Sequence, residues 1–497
     1  MFKRWSRDQV LALAPDASSQ KAAQRVAGPG SWPVCGAAGD VVFGECEGSG
    51  AKPYLACADL SEPAFRCSCP SRKFPCKHAL GLLLLWSAGA VPDAEPPAWA
   101  AEWLVQRAER AAKAATRAEA VRTAPGTGAT SGSDGTSGSD GTSGSDGTSG
   151  SGAASGAVAG GDPAPAGRGG ARAAATESAR HARVTAGLAE LERWLADQTR
   201  QGLVGAGERD WDELAKRLVD VQAPGVASVV SRLAQVRAED DWPGRLLEEY
   251  SLVNLLAVAY RRRAELPEAL AATVLTRVGF PVTREDVLAG PVIRDRWDVL
   301  GRRDEEQDRL TARRVWLRGR GTGRAALVLS FAPQGQALDT SLVTGVTIDA
   351  DLAFYPGAAP LRALVAARHF PASGGGKAPG IVSGQGTPPG IASGEVMPPG
   401  ITSGEGTPPG VTPDQAMDEV AAALAADPWT SSWPVVLAGV VPARTALGGF
   451  PLHPREHDPW RLLAVSGGHP VTVAAEWTPR GLHPLTVWDD EGMAVIL

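Results

Sequence analysis

The chain has 497 residues, 43% of them apolar and 6% aromatic, enough for two to four domains of roughly 100–200 residues each. A net charge of −6 argues against a uniformly basic nucleic-acid binder, and no run approaches the ~18 apolar residues that a membrane span needs. Glycine (59) and proline (39) are in excess, and much of that excess sits in two short tracts, so it marks linkers and not an unusual fold.

At the N-terminus, Arg4, Arg7 and Asp8 around Trp5 read as a solvated helix start. No sustained apolar core follows, so no secretory signal is expected. A cytoplasmic location is expected, where thiols stay reduced and clustered cysteines point to metal or catalysis before disulfides. Residues 1–122 hold 15 Lys and Arg against 12 Asp and Glu, whereas the remainder holds 34 against 43, so an anionic partner would meet the N-terminal part. Between Ser31 and Leu60, the runs SWPVCG, DVVFGECEG and KPYLACADL are strand-like and separated by Gly turns. Cys35, Cys46 and Cys57 recur in them at eleven-residue intervals with no histidine alongside, which reads as core positions set by strand length. Helices are expected over Ala79–Ala88 and from Ala98 to about Val121, the second opening on Trp99, Trp103 and Leu104.

Further along, 123–175 contains TSGSDGTSGSDG repeats with no side chain able to form a core, and reads as a flexible linker. Helical periodicity opens the next region, in LAELERWLADQ, WDELAKRLVDV, VASVVSRLAQV and LLEEYSLVNLLAVAYRRR. After Pro281 the texture alternates, as in RRVWLRG, RAALVLSFAP and GVTIDADLAFY, and predicts antiparallel strands. Residues 374–413 repeat every ten positions as PGIVSGQGTP, PGIASGEVMP, PGITSGEGTP and PGVTP, a second linker. The tail opens with the helix MDEVAAALAAD and continues as strands rich in tryptophan, with Trp429, Trp433, Trp460, Trp477 and Trp488. Gly319–Arg324 is Gly-rich but lacks the Gly-Lys-Ser/Thr ending of a phosphate loop and reads as a hairpin turn. In HPREHD, Pro454 separates His453 from His457 and prevents a helical ligand pair, so an exposed loop is expected.

The densest chemistry lies at residues 66–78, RCSCPSRKFPCKH, immediately before the run ALGLLLL. Cys67-x-Cys69, six residues, then Cys76-x-His78 offers three thiolates and one imidazole, a complete tetrahedral set for zinc with no position left open. In an extended segment Cys67 and Cys69 point to one side. The prolines of PSRKFP can turn the chain back, so that Cys76 and His78 stand just before or within the first turn of the helix, whose Leu80, Leu83 and Leu84 face the strands. Arg66, Ser68, Arg72, Lys73 and Lys77 interleave the ligands, a poor composition for a buried apolar strand. The i,i+2 spacing is not that of a thioredoxin-like dithiol. A closed ligand set also argues against catalytic zinc, so one structural ion and no enzyme are expected.

The motif resembles the SWIM zinc finger, whose signature is CxC, a variable gap and CxH. The resemblance covers about residues 31–90 and implies a β-hairpin or sheet joined by zinc to a following helix. It also implies a protein-interaction role, with DNA or RNA binding as the alternative. The four cations Arg66, Arg72, Lys73 and Lys77, with no acidic residue among them, read either as phosphate contacts or as local compensation of the negative charge of a zinc–thiolate centre. Partners the resemblance suggests are MoxR-type ATPases and von Willebrand A-type proteins. The expected organisation is α+β: a zinc-finger region over 1–122 with its core at 31–90, linker 123–175, a helical then β-rich domain over 176–373, linker 374–413, and a β-rich module over 414–497.

Overall fold

The computed structural model describes residues 4–47, 52–61, 63–71, 73–107, 109–110, 167–307, 310–334, 336, 338–369, 407–456 and 459–497. The chain divides into two compact units, Met1–Arg122 with Arg262–Leu497, and Thr123–Arg261. That division falls inside the stretch 176–373.

Two short helices, α1 (Arg7–Ala12) and α2 (Ala17–Arg25), begin at side-chain caps from Ser6 and Asp16. Strands β1 (Val34–Ala38), β2 (Val41–Cys46), β3 (Tyr54–Asp59) and β4 (Ala64–Cys67) follow as an antiparallel meander. Helix α3 (Lys77–Ser87) packs on one face of this sheet. A helix over 98–107 covers the other, placing Ala100 and Trp103 against Phe43 and Cys57. Burial on both faces explains the near-continuous apolar runs of β2 and β3. Cys46 and Cys57 are fully buried and Cys35 partly so.

Every residue of α3 from His78 to Trp86 is buried. The sheet takes one side, and α1 and α2 cover the other, so Leu82 and Leu85 are as buried as Leu80 and Leu83. The helix start expected at the N-terminus is present, with Arg4 and Arg7 exposed, but Trp5 between them turns inward. Trp5 is buried, meets Trp86 edge-on at 6.2 Å, and its carbonyl accepts from Ser87 Oγ at 2.8 Å. An apolar helix without a polar face needs such a second layer, because each exposed Leu would forfeit ~1.5–3 kcal/mol of burial.

The second unit is helical: α4 (Gly167–Gln201), α5 (Glu208–Asp220), α6 (Pro224–Ser231), α7 (Leu233–Arg237) and α8 (Trp242–Arg261). Helix α4 begins inside the stretch expected as linker; residues 123–166 lie outside the described residues. Trp211, Leu214 and Leu218, spaced three and four apart on α5, are buried, and Trp211 Nε1 donates to the Tyr250 hydroxyl at 3.0 Å.

In the first unit, α9 (Glu268–Val278) and α10 (Arg284–Ala289) lead into a closed five-stranded barrel. Its strands are β5 (Val292–Gln307), β6 (Leu310–Gly319), β7 (Ala325–Pro333), β8 (Thr347–Phe354) and β9 (Arg362–Arg368), in the order β5-β6-β7-β9-β8. Closure makes the β7–β9 pair parallel, against the all-antiparallel expectation. Trp297, Val299, Val315, Leu317 and Leu352 fill the inside. The Gly319–Arg324 turn is the β6–β7 hairpin as read, held by the Asp295 carboxylate, which accepts from the Gly321 and Thr322 backbone N–H groups.

The tail forms α11 (Pro413–Ala426), β10 (Trp433–Val440), the short pair β11 (Ala446–Leu447) and β12 (Phe450–Pro451), α12 (Trp460–Ser466), β13 (Val471–Thr478), β14 (Gly481–Trp488) and β15 (Ala494–Ile496). The main sheet runs β10-β13-β14-β15. Its outer face packs on the outside of the barrel, bringing Val436, Ala474, Leu485 and Trp488 against Leu300, Trp316 and Leu327. At Gly301 the approach is so close that a Cβ would stand 2.5 Å from Leu485 Cβ. Trp433 and Trp477 face each other across β10 and β13, while Trp460, expected on a strand, instead opens α12 and remains exposed.

His453 departs from the exposed loop expected of it; His457 lies outside the described residues. His453 is buried and stacks on His483 at 4.0 Å, and His483 Nδ1 lies 2.7 Å from Glu456. Burial, with His483 and neighbouring arginines, pushes the His453 pKa down to about 4. Above pH ~6.5 both folded and unfolded chains keep it neutral; below that only the unfolded chain takes the proton. The expected result is loss of stability between pH ~6.5 and 4, at up to about tenfold per pH unit in the unfolding constant for this one proton. Denaturant titrations at stepped pH check this, and His453→Gln should flatten the profile.

Candidate metal centre

Strand β4 ends at Cys67, paired with Ala56 of β3. Ser68 holds the next step of the chain against β3: its N–H donates to the Leu55 carbonyl at 3.0 Å, and its Oγ accepts from Leu55 N–H at 2.9 Å. Cys69 is thereby presented on the same side as Cys67. Lys73 Nζ reaches Asp16 at 2.7 Å, tying the intervening loop to the start of α2.

Cys76 is the N-cap of α3, its Sγ accepting from Ala79 N–H at 3.5 Å, and His78 follows on the first turn. A sulfur here faces the positive end of the helix dipole, which favours thiolate. The imidazole of His78 is buried, stacked on Tyr54 with ring centroids 4.6 Å apart, and its Nδ1 lies 3.8 Å from Cys67 Sγ.

The four predicted donors therefore converge: the ligand atoms of Cys67, Cys69, Cys76 and His78 all lie within 4.8 Å of one another. Around tetrahedral zinc with Zn–S ~2.3 Å, sulfurs stand about 3.8 Å apart, so a contraction of an ångström or less closes the set on one ion. Thiol acidity points the same way. Hydrogen bonding with Cys67 pulls the Cys76 thiol down to about 4 against the effect of burial, whereas Cys67 is pushed up by Cys76 and burial, and Cys69 by burial. The site readily accepts one negative sulfur; a divalent cation is what ionises the other two.

A family model for the SWIM zinc finger matches residues 66–86, and one for the SWIM-associated four-helix bundle domain matches residues 179–278. The chain carries a SWIM zinc finger. No curated protein and no solved structure matches the chain. The SWIM finger binds zinc through Cys67, Cys69, Cys76 and His78, and the bundle match falls on the helices from α4 to α9.

Sequence reasoning reached the ligands but missed two supports. Tyr54 braces the histidine, and its only sequence trace is its place on the same strand face as Ala56. Ser68, between the cysteines, has a local explanation only once β3 lies beside it. Of the four cations near the ligands, Lys73 is engaged by Asp16, Arg66 and Lys77 are exposed, and Arg72 lies outside the described residues.

The zinc chemistry expected is structural. Three sulfurs and one nitrogen occupy all four tetrahedral directions, so a substrate or water would have to displace a protein ligand. Beside the site, Ser18, Tyr54, Ser71, Lys73 and Lys77 line a cleft of about 440 Å³ that reaches Cys69 and His78. Among the described residues, no helix is long and apolar enough to cross a membrane.

Proposed function

We propose that the SWIM finger is a non-enzymatic protein-interaction module of a cytoplasmic chain. Phe74 is the observation that carries this reading. It sits in the loop between the two ligand pairs, is 41% exposed, and leans on Phe65 at 6.1 Å. An exposed aromatic anchored from below by a buried one suits a protein partner, since aromatic anchors dominate such interfaces. The adjacent Lys73 is already paired with Asp16, which reduces the charge left for phosphate contacts. Partners of the class implied by the SWIM resemblance are a MoxR-type ATPase and a von Willebrand A-type protein.

DNA or RNA binding through Arg66 and Lys77 is the alternative, favoured by their exposure near the ligands. The zinc-loaded chain is titrated with each purified candidate partner and with a short duplex and single strand over a salt series. Under the interaction reading, Phe74→Ala weakens the protein complex by about tenfold or more. Nucleic-acid affinity falling with a log–log slope of about −0.9 or steeper, together with no protein complex, overturns it.

A further inference from the structure

The Pro/Gly tract expected to be a linker ends in structure. Its last copy, Pro408-Pro409-Gly410-Val411, lies along the free edge of β10. Val411 N–H donates to the Val436 carbonyl at 2.8 Å, and Ala438 N–H donates to the Val411 carbonyl at 3.0 Å, a one-residue parallel strand addition beside Leu437. Pro408 is buried, and the Val411 side chain packs against the core of the C-terminal sheet. Gly410 is required for the approach: a Cβ there would stand 2.7 Å from Ala438 Cβ and 3.0 Å from its nitrogen. Proline, glycine and an aliphatic residue each have a place against this edge, and the backbone of the aliphatic residue completes the pairing.

The same motif occurs upstream at Pro388-Pro389-Gly390-Ile391 and Pro398-Pro399-Gly400-Ile401, with a shorter form at Pro379-Gly380-Ile381. Isoleucine for valine adds one methylene at a position that is only partly buried. We propose that the β10 edge is a receptor for the Pro-Pro-Gly-aliphatic motif, and that the chain's own upstream copies are alternative occupants of it. The copy at 408–411 holds the site because Thr412 directly continues as the N-cap of α11. An upstream copy seated there leaves ten or more residues to close as a loop, a penalty that grows only logarithmically with length. Exchange of copies would then change, in ten-residue steps, the length of chain between β9 and the docked motif.

The test uses the full chain and amide exchange at Ala438, whose N–H reports the docked carbonyl. Gly410→Ala evicts the resident copy. With the upstream copies intact, Ala438 exchange is expected to stay within about tenfold of the parent. Adding Gly380→Ala, Gly390→Ala and Gly400→Ala should accelerate it about a hundredfold or more, and a synthetic Thr-Pro-Pro-Gly-Ile-Thr peptide should restore protection. The Val473 and Val487 amides in the same sheet verify that the module remains folded. Equal loss in the single and quadruple variants overturns the proposal, as does full protection in both. Protection in Gly410→Ala that rises with protein concentration would place a second molecule's motif in the site, and overturns the intramolecular assignment.

Discussion

Stripping zinc from the full chain with a strong chelator is expected to unfold the finger while leaving the helices α4 to α8 intact. Apparent zinc-binding energies of ~10–16 kcal/mol match or exceed the ~5–15 kcal/mol that holds a whole domain together. Here the ion joins the end of β4 to the first turn of α3, and that helix carries the central apolar layer of the N-terminal unit. Without the ion, one buried and two half-buried sulfurs and a buried imidazole face each other unpaired by any cation, and the end of β4 is no longer tied to the first turn of α3. Cys76→Ser and His78→Ala should behave like chelation, the second also removing the partner of Tyr54. Trp5, Trp32 and Trp86 are all buried in this core, so near-ultraviolet circular dichroism and proteolysis within 31–90 read the transition. Retention of the native tryptophan signal after complete metal removal would refute a structural role for zinc. The helical unit supplies the internal control, since Leu188, Trp211 and Tyr250 bury a separate core.

A second large effect is expected at Glu476, where the sequence shows nothing unusual. Arg303 on β5 and Arg314 on β6 stand directly opposite each other, an unfavourable pairing of like charges. Glu476 of β13, 1% exposed, relieves it by accepting from Arg303 Nη1 at 2.7 Å and from Arg314 Nη2 at 3.1 Å. One carboxylate thus bridges the barrel and the C-terminal sheet. Glu476→Gln removes the charge and leaves two guanidinium groups confronting each other, at an expected cost of about 3–5 kcal/mol. The neighbouring Glu305, paired with the same Arg303 but 29% exposed on its side chain, is the comparison; Glu305→Gln should cost below about 1 kcal/mol. Denaturant midpoints of the two variants check the contrast, and equal values would show that burial of the bridge adds nothing.

The zinc ligands were legible because their chemistry is local. Three thiols and an imidazole within twelve residues, interleaved with cations, have few satisfactory environments other than a shared metal. The strands ending in Cys46 and Asp59, the amphipathic α5 and the β6–β7 turn were legible for a similar reason, as period and turn chemistry act over a few residues. Long-range packing was not. Nothing near Trp5 says that Trp86 will cover it, and nothing in HPREHD says that His483 will stack on His453. The parallel closure of the barrel through β7 and β9 depends on the order in which strands meet in space.

By itself, then, the amino-acid order determined the metal, its four donors and the mixed α+β character, because donor type and periodicity are properties of neighbours along the chain. Only the tertiary structure decided which apolar face is doubly covered, which carboxylate bridges two arginines, and that the last repeat of a tract expected as linker is seated on β10. Those outcomes are set by residues tens to hundreds of positions apart, whose burial and charge pairing acquire meaning only when the fold brings them within a few ångströms.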